Sequence, residues 1–470
     1  MKYFFYLSLC CVLLVTGCED NSRDSDTIYI GGQINNPETD YVVISRENET
    51  IDTLYLDEKN QFGKDYENLE GGIYTFKHPP ESQILYTEPG DSILIWLNTM
   101  SFDESLNFSG EGADKSNFLL DMFLKNQNNN DLILTYYKIE PSEFAKMTDS
   151  IKEDRLKTLD RLQEKSEFSD EFLEIAMASI NYEYYDLRER YTFLIRKYYN
   201  SFAEKIPEDF NKYREEIDFN NEELQDYYVY TNLIDDYLRS KSIEACTEKH
   251  KDHKKCFDLN SFKNIERRVI LIDSLSEIES LKNEFLDRLA AQAITMSENQ
   301  NRLDSVMNLL GRIDYSNLQS AKNLAEIQRS YFIGNSIADF VYNNTNGEIT
   351  TFKDFQEKPV VTFVWSIYAP AHHRWQHSII QGLRTKYPEV EFIGLNIDQN
   401  EKEEWLRTIE TFGYNKDKEY QLSKRTVSKK IYRKYLNKIL FIDSSGNIVR
   451  GDIQLGSPDF ENDLLEFINN

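Results

Sequence analysis

At 470 residues, with 40% hydrophobic content, the chain is long enough for roughly two to four domains with packed cores. A formal net charge of −27 argues against a nucleic-acid partner and against docking on an anionic membrane face. Counts of 30 Tyr and 28 Phe argue against a long disordered chain.

The first residues read as an export signal. Lys2 supplies a positive start, and Tyr3 to Val15 forms an apolar stretch too short to span a bilayer comfortably. Val15-Thr16-Gly17-Cys18 follows and resembles a bacterial lipoprotein box. In that class the Cys after a small residue is lipid-modified and becomes the first residue of the mature chain. An uncleaved anchor or an ordinary signal peptide are the alternatives. The expected layout is a signal peptide over 1–17 and an acidic tether over 18–26. Cys10 and Cys11 then leave with the signal, and Cys18 carries the lipid. The run Glu19 to Asp26 (EDNSRDSD) resembles a sorting signal for the outer membrane or cell surface. These features imply a cell-envelope protein, lipid-anchored, facing the periplasm or the cell surface.

Residues 27–112 predict a small β-sandwich-like domain. TIYIGGQI alternates and stops at Asn35-Asn36-Pro37, and further strand-like runs follow. Glu88-Pro89-Gly90-Asp91 has the residues of a tight turn between the last two of these. The order resembles a β-domain found ahead of TlpA-like domains in envelope lipoproteins, through its Gly-rich first strand, Ile51-Asp52 and the Pro-Gly-Asp turn. From 113 to 330 the apolar spacing becomes helical, and the only prolines are Pro141 and Pro207. The aromatic segment 180–199 reads more simply as a helix packing large side chains than as a ligand box. Cys246 and Cys256 bracket His250 and His253 here. In an exported chain the pair is expected as a structural disulfide, with free thiols or zinc as the other readings.

Residues 331–470 are organised around Pro359 to Arg374, PVVTFVWSIYAPAHHR. Val360 to Trp365 fits one buried strand, a Pro-containing turn follows, and an amphipathic helix runs from about His372 to Tyr387. A strand feeding a helix N-terminus aims unpaired backbone N–H groups at whatever sits there. The passage resembles the active-site segment of TlpA/ResA-type envelope thiol–disulfide oxidoreductases, which carry Phe-Trp-Ala-x-Trp-Cys-Pro-x-Cys. Gly334 to Phe340, Glu391 to Asp398 and the Lys438 to Asp443 hairpin strand are similar to that family as well. The resemblance implies a thioredoxin-like fold with βαβ then ββ order, so the expected class is multidomain β, then α, then α/β.

Both family thiols are missing: Ala369 stands at the attacking position and His372 at the resolving one. No cysteine occurs between 257 and 470, and sulfur exchange needs a thiolate. The family's cis-proline position falls near Asn437, and no proline lies between Pro388 and Pro458. These losses imply a redox-inactive domain with no cofactor, whose old pocket edge (Trp365, Tyr368, Pro370 and His372) serves binding. The segment Lys424 to Lys438 carries seven basic residues and no acidic one, so Lys430 is a candidate contact, with a solvated helix face as the plainer reading. His372, His373 and His377 open a second reading, a metal-dependent or His-assisted enzyme. A third is an envelope thiol–disulfide role using partner thiols. The expected function is a lipid-anchored binding or scaffold protein, not an enzyme, whose partner is an envelope protein or peptide.

Overall fold

The computed structural model describes residues 26–46, 49–79, 81–136, 138–225, 227–249, 253–355, 358–399, 401–423, 433–457 and 459–469. The expected signal peptide, most of the tether, Cys18, His250 and Lys430 lie outside these residues. Among the described residues no helix is long and apolar enough to cross a membrane. The chain divides into two compact units.

The first unit takes in Met1–His78, Ser82–Lys125 and Leu159–Ala176. Its strands are β1 (Thr27–Asn35), β2 (Tyr41–Arg46), β3 (Glu49–Tyr55), β4 (Gln61–Glu67), β5 (Gly72–His78), β6 (Glu81–Thr87), β7 (Ser92–Asn98) and β8 (Asn107–Glu111). They form two four-stranded sheets, β4-β1-β7-β8 and β3-β2-β5-β6. Both sheets feed one apolar core: Ile28, Ile30, Ile93 and Ile95 come from one, Val42, Ile44, Tyr74 and Phe76 from the other. Buried and more exposed residues alternate along β2, β5 and β7, as a sheet with one wet face requires, and on β7 the outward residues are the apolar Leu94 and Trp96. The turn at Glu88–Asp91 is closed by a backbone bond from Asp91 N–H to the Glu88 carbonyl (3.0 Å), and Gly90 takes φ +93°. Lys115 is buried over that turn, its ammonium 2.6 Å from Glu88 and 2.8 Å from Asp91.

The second unit takes in Pro79–Glu81, Asn126–Thr158 and Met177–Asn470. Helices Tyr228–Thr247, Phe262–Leu275, Glu279–Thr295, Gln300–Leu310 and Leu318–Ser330 pack on their neighbours in turn. Most of helix Asp170–Tyr198 joins them, burying Tyr182, Tyr185 and Tyr191, while Tyr184 stays half-buried. Phe144 stacks on Tyr191 with ring centroids 3.9 Å apart, and both belong to a cluster with Leu187, Ile195 and Phe210. Cys246 and Cys256 form a disulfide with Cα atoms 5.6 Å apart, joining the end of helix Tyr228–Thr247 to the next turn. Both are buried.

The rest of this unit carries a seven-stranded sheet in the order β10-β9-β13-β12-β11-β14-β15. Its strands are β9 (Val341–Asn343), β10 (Ile349–Thr351), β11 (Val360–Trp365), β12 (Glu391–Asn396), β13 (Glu419–Leu422), β14 (Ile439–Ile442) and β15 (Ile448–Ile453). β11, β12 and β13 run parallel, and β14 and β15 add antiparallel strands beyond β11. Helix Pro370–Lys386 connects β11 to β12, and helix Lys402–Phe412 connects β12 to β13. This βαβ unit followed by a ββ hairpin is thioredoxin-like. β13, which the sequence pattern did not announce, extends the parallel set by one strand. All six residues of β11 are buried, as expected for a strand covered on both faces.

Candidate functional site

The C-terminal ends of β11, β12 and β13 meet the N-terminus of helix Pro370–Lys386, where an open α/β sheet presents its functional groups. β11 stops at Trp365 because the chain turns there, and the turn is held from below by Asp398. The buried Asp398 carboxylate accepts hydrogen bonds from Ser366 Oγ (2.9 Å), Ile367 N–H (2.8 Å) and Asn396 Nδ2 (3.1 Å). Gln421 Nε2 donates to the Asp398 carbonyl at 2.7 Å. Pro370 begins the helix, where its missing N–H costs nothing. Ala369 precedes it and offers no side-chain cap.

The positions singled out by the sequence do not all sit on one surface. Tyr368, Ala369, Pro370 and His372 are half-buried at the helix N-terminus. Trp365 is fully buried, and its indole N–H donates to Glu419 Oε2 at 2.9 Å. Its expected place on a contact edge is therefore corrected: the apolar ring is needed in the core and its one polar atom is already satisfied. Exposed Trp375, one turn further along the helix, lies beside the His372 ring instead, with centroids 5.8 Å apart. Lys438, the last residue of the basic segment, is also buried, so that segment is not uniformly a solvated face.

Ala369, expected from the resemblance at the attacking-thiol position, presents a methyl group. His372, expected at the resolving one, donates from Nε2 to Oδ1 of Asn437 at 2.8 Å. Two of the three positions singled out as departures thus meet each other. Gln376 reinforces the closure by donating to the carbonyls of Val364 (3.2 Å) and Leu436 (3.1 Å), which ties the helix to β11 and to the loop before β14. Burial holds the His372 imidazole below its ordinary pKa, partly opposed by the Asn437 bond.

The three histidines diverge. His373 Nδ1 shares a 2.7 Å hydrogen bond with the Tyr414 hydroxyl, and His377 Nδ1 donates to the His373 carbonyl at 2.7 Å. The His377 ring stacks on Tyr414 with centroids 3.5 Å apart. Burial, together with the neighbouring His377, Arg374 and His372, pushes the His373 pKa down to about 3, so it is neutral at physiological pH. Among the described residues no group of three or more His, Cys, Asp or Glu side chains is placed to hold a metal ion.

Glu419 and Asp398 went unnoticed as site residues. Glu419 is fully buried at the start of β13, with His377 Nε2 3.3 Å and an Arg384 nitrogen 3.7 Å from its Oε1. In so acidic a chain only the position of Glu419, opening a buried strand, could have marked it.

No protein-family model matches the chain, and no curated protein does. Among solved structures it is similar to the thioredoxin domain of a thiol-disulfide oxidoreductase from Bacteroides vulgatus, at 20% identity and TM-score 0.25, over 29% of this chain and 98% of that one. A thiol:disulfide interchange protein from a Bacteroides species is similar at 19% identity and TM-score 0.23, over 30% and 93%. A SCO1/SenC family lipoprotein from Bacillus anthracis is similar at 14% identity and TM-score 0.24, over 28% and 94%.

Proposed function

We propose that this chain is a lipid-anchored cell-envelope protein whose thioredoxin-like domain is redox-inactive and works as a binding or scaffold module. The observation that carries the reading is the His372–Asn437 hydrogen bond. It fills with a neutral side-chain contact the place where thiol exchange needs a second sulfur beside an attacking one. The cysteines of the described chain are joined to each other within the helical part and supply no thiol to this site. What remains accessible is a binding edge of Tyr368, Pro370 and His372, with Trp375 beside it; Lys430, outside the described residues, is kept from the sequence as a further candidate contact. An envelope protein or peptide is the partner such an edge serves.

The test is a pull-down from solubilised envelopes with the full chain in detergent, set against a Tyr368→Ala plus Lys430→Glu variant. A partner retained by the parent and lost by the variant is the expected outcome. Equal capture by both proteins would remove the edge from consideration.

A further inference from the structure

A cleft in the helical part has the features of a ligand site unrelated to the thioredoxin-like domain. It encloses about 350 Å³ between helix Pro141–Gln163, helix Asp170–Tyr198 and the segment from Pro207 to Glu216. Ala145, Asp149 and Lys152 lie at helical spacing on one face of the first helix, and Tyr184, Tyr185 and Arg188 come from the second. Tyr213 backs Tyr185 in a parallel stack with centroids 4.8 Å apart.

Most of the polar groups in this cleft are already satisfied. Arg188 donates to Asp149 (2.8 Å), to Thr148 Oγ1 (3.2 Å) and to the Phe210 carbonyl (3.2 Å). The Tyr184 hydroxyl donates to Asp149 at 2.7 Å, and that of Tyr185 to Glu216 at 2.5 Å. Lys152 differs. It is half-buried, its ammonium stands 4.8 Å from the Tyr184 ring centroid and 5.7 Å from that of Tyr185, and it forms no ion pair among the described residues. Burial lowers its pKa, which marks a cation short of solvation. Asp149 is paired with Arg188 and bonded by the Tyr184 hydroxyl, and Glu216 accepts from Tyr185, with Asp209 and Lys212 also lining the cleft, which leaves the half-buried Lys152 ammonium as the cation an incoming anion can pair with.

We propose that this cleft binds a small organic acid, its carboxylate or phosphate on Lys152 and its body beside Tyr184. The volume lies at the lower end of small-molecule sites. Tyr185 is buried with Tyr213 and Lys152 against its ring, and Arg188 and Lys152 lie over the Tyr184 ring, so the half-buried Tyr184 gives a ligand body an edge to rest on while the ammonium sets its orientation.

The experiment is calorimetric titration of the full chain with phenyl phosphate and with benzoate. We expect saturable binding of at least one, weakened about tenfold or more in Lys152→Met and kept within a few-fold in Lys152→Arg. Lys146→Met, an exposed charge on the same helix outside the cleft, should bind as the parent does and so separates the site from bulk charge. Phenyl phosphate binding alone assigns a phosphate head, and benzoate binding alone a carboxylate. No saturation by either up to about 10 mM, or a Lys152→Met variant that binds as the parent does, overturns the proposal.

Discussion

At the scale of single residues the end of β11 and the helix that follows it hold neutral and acidic groups in fixed places. His373 shows the consequence for stability. Its folded pKa, about 3, lies below the ordinary histidine value, so between these two values the unfolded chain takes up a proton that the folded chain refuses. More protons on the unfolded side means stability rises with pH across that window and is lost on acidification from about 6.5 down toward 3. The slope approaches about 1.4 kcal/mol per pH unit at most for one such group. His373→Gln cannot titrate, so its urea midpoint, read by tryptophan fluorescence, should fall less than the parent's between about pH 7 and about pH 4.5. Parallel curves for the two proteins would mean that His373 is solvated and free to ionise in the fold.

Between elements, the approach of β12 to β13 is set by Gly394 and Glu419. A Cβ added at Gly394 would stand 2.1 Å from Glu419 Oε2, the oxygen that accepts the Trp365 indole bond. Gly394→Ala must therefore displace the carboxylate, at about 2 kcal/mol or more. Glu419→Ala alone should cost about 3 kcal/mol, because Trp365 loses its acceptor and His377 its neighbour. In that background the alanine at 394 meets open space, and its added cost should drop below about 0.5 kcal/mol in a double-mutant cycle on urea midpoints. Additive costs would place the glycine's role elsewhere. The same pair marks how far the sequence could be read. β11, the helix after it and the turns at Gly90 and Gly347 were legible, because an apolar run, amphipathic spacing and turn-forming glycines are local signals, although the helix starts at Pro370 and not at about His372, since Pro370 opens the helix instead of belonging to the turn. The Trp365–Glu419 bond joins residues 54 apart, and nothing in either neighbourhood announces the other. His372, His373 and His377 looked convergent because helical spacing gives proximity along one face; where each ring turns depends on Asn437 and Tyr414, which come from other parts of the chain.

Over the whole second unit, one lysine links the sheet to the helices. Lys438 looked like the end of a basic surface segment, yet it is buried just ahead of β14. Its ammonium donates to the carbonyl of Thr295, at the end of helix Glu279–Thr295, and to Gln328 Oε1 at 3.3 Å. Gln328 in turn donates to the Ser297 carbonyl at 2.7 Å, so the ends of two helices and the start of a sheet strand share one polar knot. A buried ammonium survives only where oxygen acceptors replace water, and here the acceptors come from a different part of the fold than the lysine. Lys438→Met keeps the aliphatic stem and removes the charge, leaving the Thr295 carbonyl without its donor. We expect a loss of about 2–4 kcal/mol, and because the knot is what couples helices to sheet, a loss of cooperativity as well. In urea the parent should show coincident fluorescence and far-ultraviolet dichroism transitions for this unit, whereas Lys438→Met should let the tryptophan-bearing sheet melt ahead of the helices. If the variant unfolds in one coincident transition at a lower midpoint, Lys438 contributes stability while apolar packing alone does the coupling.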